Sequence, residues 1–301
     1  MKNVFFKVFL LINCSLLLSC SEEKSAEDSA PLLKSTEKIN VQISKEVLDE
    51  MVQSLPQPIE IAKIISNSKI DMSKGILIPS NNIDKYETKY AQALAFGAYG
   101  VDLGYINLNN KTLYVLEYLG AIKDLSNSLK VNQFFDFQTM SHLAKNRNNS
   151  DSLIQLSTQN FNKIDQFLRD QDRGELSVLI LIGAWMEGMN MFGEIYKSTN
   201  SADITKRIGE QKVVFENVYL ILNKLNKVEY FAKLQKAFLP IKTTYDKIKI
   251  TYNYKGPLMK EVDGQMVLED QTETQIDFTD QDISNVIVEL KKLRNQFFFV
   301  K

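Results

Sequence analysis

Apolar residues recur at intervals of three and four along most of the chain, which is the spacing of one face of an α-helix. From residue 83 onward, this spacing predicts helices at about 83–107, 111–129, 137–145, 151–169, 175–197, 202–226, 228–248 and 280–298. Earlier in the chain, Ser44 is placed to cap a helix that ends near Ser54, and Pro58 is placed to open another. Because the helix at 175–197 is apolar nearly all round, we expect it at the centre of the fold. Pro240 should kink the helix at 228–248 or end it early.

One segment departs from the helical spacing. Ile250, Tyr252 and Tyr254 alternate with other residues, and Asp263-Gly264 lies between Met259-Lys260-Glu261-Val262 and Gln265-Met266-Val267-Leu268. Alternation is typical of a β-strand, and Asp-Gly between two such runs is typical of a hairpin turn. The sequence therefore predicts an all-α fold, an irregular multi-helix bundle or array with a small β-hairpin excursion near residues 250–278. A long ordered loop is the alternative for this excursion.

The N-terminus has the organisation of an export signal. Lys2 and Lys7 supply positive charge at the start, and a short apolar stretch after them ends at Leu17-Leu18-Ser19-Cys20. The stretch is shorter than the roughly 20 apolar residues that span a bilayer as a helix, and a basic start followed by a short apolar run is typical of a secretory signal. Its last four residues resemble the lipobox of bacterial lipoproteins, although Leu18 is bulkier than the usual residue there.

This resemblance implies that residues 1–19 are removed and that Cys20 becomes the lipidated first residue of the mature protein. Diacylglycerol and palmitate on Cys20 would make the lipid bilayer a partner of the protein. Cys14 would leave with the signal, so the mature chain would have no thiol for a disulfide, a metal site or a nucleophile. The alternative is an ordinary secretory signal with an incidental cysteine.

The residues after Cys20 have no helical periodicity. They are rich in Ser and Glu, so we expect residues 20–40 to hold the lipidated cysteine and a disordered tether, and residues 41–301 to form a single mostly helical domain. Ser21 resembles a signal for sorting to the outer membrane. Glu22-Glu23 resembles the surface-export signal of Bacteroidota lipoproteins, or else is a solvated acidic linker. The expected location is the outer membrane, on its periplasmic face or at the cell surface.

Charge and composition exclude several functions. The formal net charge is −1 and no basic cluster stands out, which argues against a nucleic-acid partner. There is no glycine-rich phosphate loop. The only histidine is His142, which cannot supply a His-based metal site alone and is expected to be a surface or partly buried side chain. We therefore predict no metal, no cofactor and no catalytic residue.

Three acidic residues lie within apolar helices: Asp102, Glu117 and Glu187. A carboxylate in such surroundings is expensive to bury without a partner. The three could converge on a polar pocket that binds a cation or a small ligand, with Tyr105 and Tyr118 from the same helices beside them. Alternatively, each acid belongs to a structural network.

Glycines recur in the same helices. Gly97, Gly100 and Gly104 follow one another at intervals of three and four and form a smooth stripe. Because each glycine costs a helix about 1 kcal/mol relative to alanine, we expect a neighbouring helix to pack directly on this stripe; a ligand in the same place is the alternative. Another set, Gly183, Gly188 and Gly193, is spaced by five residues and should wind round its helix.

The mature chain as a whole resembles helical lipoproteins of Bacteroidota for which no activity is known. The segments that carry this resemblance are Leu55-Pro56-Gln57-Pro58-Ile59-Glu60-Ile61-Ala62, Ala98-Tyr99-Gly100-Val101-Asp102-Leu103-Gly104-Tyr105 and Ile182-Gly183-Ala184-Trp185-Met186-Glu187-Gly188. The resemblance implies an all-α fold and a place in the cell envelope, and it transfers no catalytic residue.

Three functions follow as hypotheses. The first is a membrane-tethered binding or interaction module, for example an accessory subunit with an envelope protein as its partner. The second is a small-ligand or cation binder that uses the acids of the central helices. The third is a carboxylate-dependent hydrolase, which would need two carboxyl groups about 5 to 10 Å apart across an open cleft.

Overall fold

The computed structural model describes residues 55–67, 74–109, 111–140, 150–262, 265–270 and 273–299, and these fall within one compact unit that spans Asn40–Lys301. The helices are α1 (Pro58–Ser66), α2 (Lys89–Leu108), α3 (Thr112–Leu129), α4 (Ser150–Asp170), α5 (Gly174–Thr199), α6 (Ala202–Lys224), α7 (Glu229–Tyr245) and α8 (Asp280–Phe298). Short 3₁₀ helices occupy Lys74–Ile76, Ser80–Lys85 and Asn132–Phe134. The predicted all-α fold with a small β excursion is confirmed.

Several predictions concern residues outside the described ones. They are the signal sequence, the lipidated Cys20, the tether, the helix capped by Ser44, the second half of the helix at 137–145, and the position of His142. All of these stay predictions.

The predicted helix at 83–107 is divided in the structure. The 3₁₀ helix Ser80–Lys85 precedes α2, because Thr88 adopts an extended backbone and its hydroxyl caps α2 by accepting a hydrogen bond from the N–H of Ala91 at 3.1 Å. Pro240 lies inside α7, which continues as far as Tyr245, so the proline does not end the helix at its own position.

The β excursion consists of two antiparallel strand pairs, and both strands of one pair lie between the two strands of the other along the chain. Strand β1 (Lys249–Asn253) pairs with β4 (Glu273–Asp277), and β2 (Pro257–Val262) pairs with β3 (Gln265–Asp270). Val262 lies opposite Gln265, so the hairpin connection falls at the Asp-Gly pair that predicted it, although those two residues lie outside the described ones.

Helix α5 forms the centre of the fold, as its apolar sequence predicts. It packs against α1, α2, α4, α6 and α8, and nearly every residue from Leu176 to Gly193 is buried. By length and composition it is the one helix among the described residues that could cross a membrane, and its apolar stretch is completely buried within the protein. Its apolar character is therefore explained by its place in the core.

The glycine stripe of α2 allows close helix packing. A β-carbon at Gly97 would overlap the carbonyl oxygen of Ile180 in α5, and one at Gly183 in α5 would overlap the carbonyl oxygen of Leu94 in α2. The backbones of these two central helices are thus in direct contact. Further along the stripe, Gly104 faces Ala62 of α1. The prediction that a neighbouring helix packs on the stripe is confirmed.

The glycines of α5 turn round the helix, as their five-residue spacing predicts. Gly188 faces Ile61 of α1, and Gly193 faces Ile287 of α8. Each therefore allows a different neighbour to approach α5.

Candidate functional site

Two of the predicted site residues come together in the centre of the protein. Asp102 of α2 and Glu187 of α5 are both 0% exposed, and a cation from α8 lies beside them. Arg294 donates from Nε to Glu187 Oε2 at 2.6 Å and from Nη2 to Glu187 Oε1 at 2.8 Å. This two-point geometry is the strongest arrangement of an arginine and a carboxylate.

Arg294 was not among the predicted site residues, although its position on the apolar face of α8 indicates a buried partner. Buried positions of α8 include Ile283, Ile287 and Leu290, and Arg294 follows Leu290 by four residues on the same face. A charged side chain on the apolar face of an amphipathic helix needs a buried partner of opposite charge. An arginine on the apolar face of α8 and two acids on the apolar helices α2 and α5 therefore predict one another as buried partners.

The cluster satisfies the backbone of a buried loop that connects two 3₁₀ helices. Arg294 Nη2 also donates to the carbonyl of Ile76 at 2.6 Å, and the N–H of Ile78 donates to Asp102 Oδ2 at 2.9 Å. Ile78 is fully buried, so without these side chains its polar backbone groups would lose hydrogen bonds that water cannot replace.

Buried tyrosines complete the same network. Each tyrosine hydroxyl donates to a backbone carbonyl: Tyr118 to Ile78 at 2.7 Å, Tyr99 to Pro79 at 2.6 Å and Tyr86 to Phe298 at 3.1 Å. Burial, together with the carboxyl groups nearby, raises the pKa of each of these tyrosines far above its ordinary value. They therefore act as hydrogen-bond donors and keep their protons.

Two carboxyl groups share one arginine, so the charges balance only if one carboxyl group keeps its proton. Burial and the charge of Glu187 raise the pKa of Asp102 well above its ordinary range, and a hydrogen bond between the two carboxyl groups raises it further. Burial lowers the pKa of Arg294, but the charge and hydrogen bonds of Glu187 more than offset this effect. The raised pKa favours the protonated form of Asp102 beside the ion pair of Arg294 and Glu187. Without a proton, Asp102 Oδ1 would be a buried charged oxygen with no hydrogen-bond partner of ordinary geometry among the described residues.

Two other predicted site residues, Glu117 and Tyr105, are not part of this hydrogen-bonded cluster. The expectation that Glu117 is buried is wrong: its side chain is 39% exposed, because α3 turns that face to solvent. There it pairs with Lys74 at 2.7 Å and with the Ser80 hydroxyl, and these hydrogen bonds lower its pKa. Tyr105 is buried in the core, where its carbonyl accepts from Asn109 Nδ2 at 2.9 Å.

The acid cluster has the properties of a structural network and not of a ligand site. Arg294 pairs with Glu187, and the loop backbone is hydrogen-bonded to Asp102 Oδ2 and to Arg294 Nη2. Asp102 and Glu187 do not face an open cleft, which the hydrolase hypothesis requires. Among the described residues, no group of His, Cys, Asp and Glu is arranged to hold a metal ion.

A separate cavity of about 80 Å³ lies between α1, α2, α3, α4 and α5, and part of its boundary is open to solvent. Its wall is mostly apolar and includes Phe96, Leu103, Ile122, Phe161 and Ile164. Small residues of α2 widen it, since Gly100 and Gly104 also line it. A concave, largely apolar pocket with a few polar groups is the usual form of a small-molecule site.

Two amide oxygens at this cavity are buried without a hydrogen-bond partner of ordinary geometry among the described residues. They are Gln57 Oε1, whose side chain faces the backbone N–H of Glu60 in the capping box at the start of α1, and Asn107 Oδ1, in the last turn of α2. The side-chain nitrogen of Gln57 is occupied, because it donates to Asn162 Oδ1 at 2.8 Å. Ser177 Oγ and Asn160 Nδ2 are likewise buried and unpaired, but neither residue lines the cavity. No sequence pattern pointed to Gln57 or Asn107, since the cavity depends on how several helices pack.

Comparison with known proteins adds no assignment: no protein-family model, curated protein sequence or solved structure matches the chain.

Proposed function

We propose that this chain is a membrane-tethered lipoprotein of the bacterial envelope and that its helical domain is a binding module for a small molecule. The N-terminal sequence that ends at Cys20 supports the tether. The cavity between α1 and α5, with its two unpaired amide oxygens, is the observation that supports small-molecule binding.

The two amide oxygens give a bound molecule an energetic advantage. A buried acceptor left without a hydrogen bond costs about 1–3 kcal/mol, and native proteins leave few such atoms. Gln57 Oε1 and Asn107 Oδ1 lie at the same cavity, so one bound molecule could supply what the protein does not. The site proposed here differs from the acid-based site that the sequence suggested, because the buried acids already have partners.

Native mass spectrometry of the protein, extracted gently from its own cells, tests this proposal. We expect the mature chain that begins at Cys20 to carry lipid and, in addition, a discrete small mass. Ser157→Leu should remove the small mass, because Ser157 lines the cavity and the larger side chain fills it. Ser152→Leu makes the same change at an exposed position of α4 and should leave the small mass in place. Absence of any small mass, or its retention in Ser157→Leu, would contradict the proposal.

A protein partner is the second candidate function. Leu113 and Leu116 lie about one turn apart on α3 and are 89% and 60% exposed. Exposed apolar side chains that adjoin one another favour a protein contact over a free surface. A photo-reactive residue at position 113 should then cross-link to one envelope protein in cells, whereas the same residue at Val213, an exposed position of α6, should not.

A further inference from the structure

The chemical class of the ligand can be derived from the cavity, and this inference rests on the function proposed above. None of the described residues that line the cavity is charged. Bringing a charged group into an apolar pocket without a counter-charge is unfavourable by several kcal/mol or more. A bound molecule should therefore be neutral in the part that enters the cavity.

The polarity of the unpaired atoms narrows the class further. Both Gln57 Oε1 and Asn107 Oδ1 are amide oxygens, which accept hydrogen bonds and cannot donate them. A molecule that offers only acceptors, such as a ketone or an ether, would leave both oxygens unsatisfied. A molecule with an N–H or O–H group would satisfy at least one of them.

The size of the cavity limits the body of the molecule. Its volume of about 80 Å³ is close to half of the ~150 Å³ cavity that admits benzene in a protein core. The open side allows part of a ring to remain outside. The apolar wall, which includes Phe96, Phe161 and Ile164, favours a single ring or a short branched aliphatic group.

We infer that the cavity binds a small neutral molecule with an apolar body and an N–H or O–H donor, and that Asn107 Oδ1 accepts the hydrogen bond from that donor. Gln57 Oε1 supplies a second acceptor on the same cavity. The apolar side chains hold the body of the molecule, and the two amide oxygens select for the donor.

Aniline and toluene are suitable probes, because they have nearly the same shape and differ in an amino or a methyl group. Binding to the full lipidated protein in detergent micelles can be followed by the methyl resonance of Met140, which lines the cavity, with the exposed Met259 as an internal control. The measured quantity is the ratio of the aniline affinity to the toluene affinity. Each probe partitions into the micelles to the same extent whichever protein variant is present, so partitioning does not affect the comparison of this ratio between variants.

Asn107→Leu removes the acceptor and should reduce the aniline-to-toluene affinity ratio about tenfold, which corresponds to one hydrogen bond. Asn223→Leu makes the same change at an exposed position in the last turn of α6 and should leave the ratio unchanged. Gln57→Leu removes the second acceptor and provides an independent test if Asn107→Leu does not fold.

The outcomes separate the two proposals. If neither probe shifts the Met140 resonance, both the small-molecule function and the ligand class are wrong. If both probes bind with the same affinity ratio in the wild type, in Asn107→Leu and in Gln57→Leu, the cavity binds small molecules but the donor requirement is overturned.

Discussion

Replacement of Glu187 by Gln should be far more harmful than replacement of the other carboxyl group in the buried cluster. Glu187→Gln keeps the side-chain volume and removes the charge that faces Arg294, which is only 5% exposed. Removal of one partner from a buried ion pair typically costs about 3–5 kcal/mol. Because Asp102 can lose its proton and replace part of the missing charge, we expect a loss near the lower limit, about 3 kcal/mol.

Asp102→Asn should behave in the opposite way. The amide has the shape of the protonated acid, and it can accept from the Ile78 N–H and donate to Glu187. We therefore expect the variant to be at least as stable as the wild type at neutral pH. The double variant, in which Arg294 has no carboxylate at all, should lose up to about 5 kcal/mol.

The pH dependence follows from the raised pKa of Asp102. Between the unfolded pKa of about 3.9 and the higher folded pKa, the folded protein binds one proton more than the unfolded chain. Stability from this group is fully present below the unfolded pKa and is lost as the pH rises through the folded pKa. Asp102→Asn has no such proton, so its advantage over the wild type should shrink as the pH is lowered toward about 4.

Urea unfolding, followed by the fluorescence of Trp185, measures these differences. Trp185 is the only tryptophan in the chain and is buried in α5 two residues before Glu187. Glu117→Gln, on the exposed face of α3, is the matched control and should change stability by less than about 1 kcal/mol. If Asp102→Asn lost as much stability as Glu187→Gln at neutral pH, Asp102 would be ionised and the charge assignment would be refuted.

Four further changes have predictable results. Gly97→Ala should destabilise the protein by about 3 kcal/mol or more in thermal unfolding, since the added carbon overlaps a carbonyl oxygen of α5. Gly120→Ala is its control: a β-carbon there meets open space, so the change should stabilise the protein by up to about 1 kcal/mol. Tyr118→Phe leaves a buried loop carbonyl without its donor and should cost about 1–3 kcal/mol in the same assay. Cys20→Ala should release the protein from the membrane fraction and abolish its lipid mass; a variant that kept its lipid would contradict the lipobox assignment.

Much of the fold could be predicted because the signals that determine it are local. The three-and-four spacing of apolar residues gave the final helix its observed bounds of Asp280–Phe298. The all-apolar surface of α5 predicted its central position, since only a helix surrounded by others can bury every face. The division at Thr88 could not be derived from periodicity, because the 3₁₀ turn before it depends on contacts with α3 and α8.

The buried cluster could be predicted only in part. Sequence identified Asp102 and Glu187 because carboxyl groups are rare on apolar helices, but the same argument placed Glu117 wrongly. The difference is which face of each helix meets a neighbour: Leu113 and Leu116, beside Glu117, are exposed too, so the whole face of α3 is solvent-facing despite its apolar residues. Composition within a helix cannot reveal this without knowledge of the packing partners.

The two polar features of the core differ in the interactions that a ligand would have to displace, and this contrast determines where binding is proposed. In the charged cluster, every strong interaction ends on another part of the protein: Arg294 on Glu187 and Ile76, and Asp102 on Ile78. A ligand there would have to displace interactions worth several kcal/mol. At the cavity, neutral amide oxygens are already desolvated and have no described partner to lose. A donor that enters the cavity therefore gains a hydrogen bond without breaking one, which makes the uncharged site, and not the acidic one, the favourable place for a ligand.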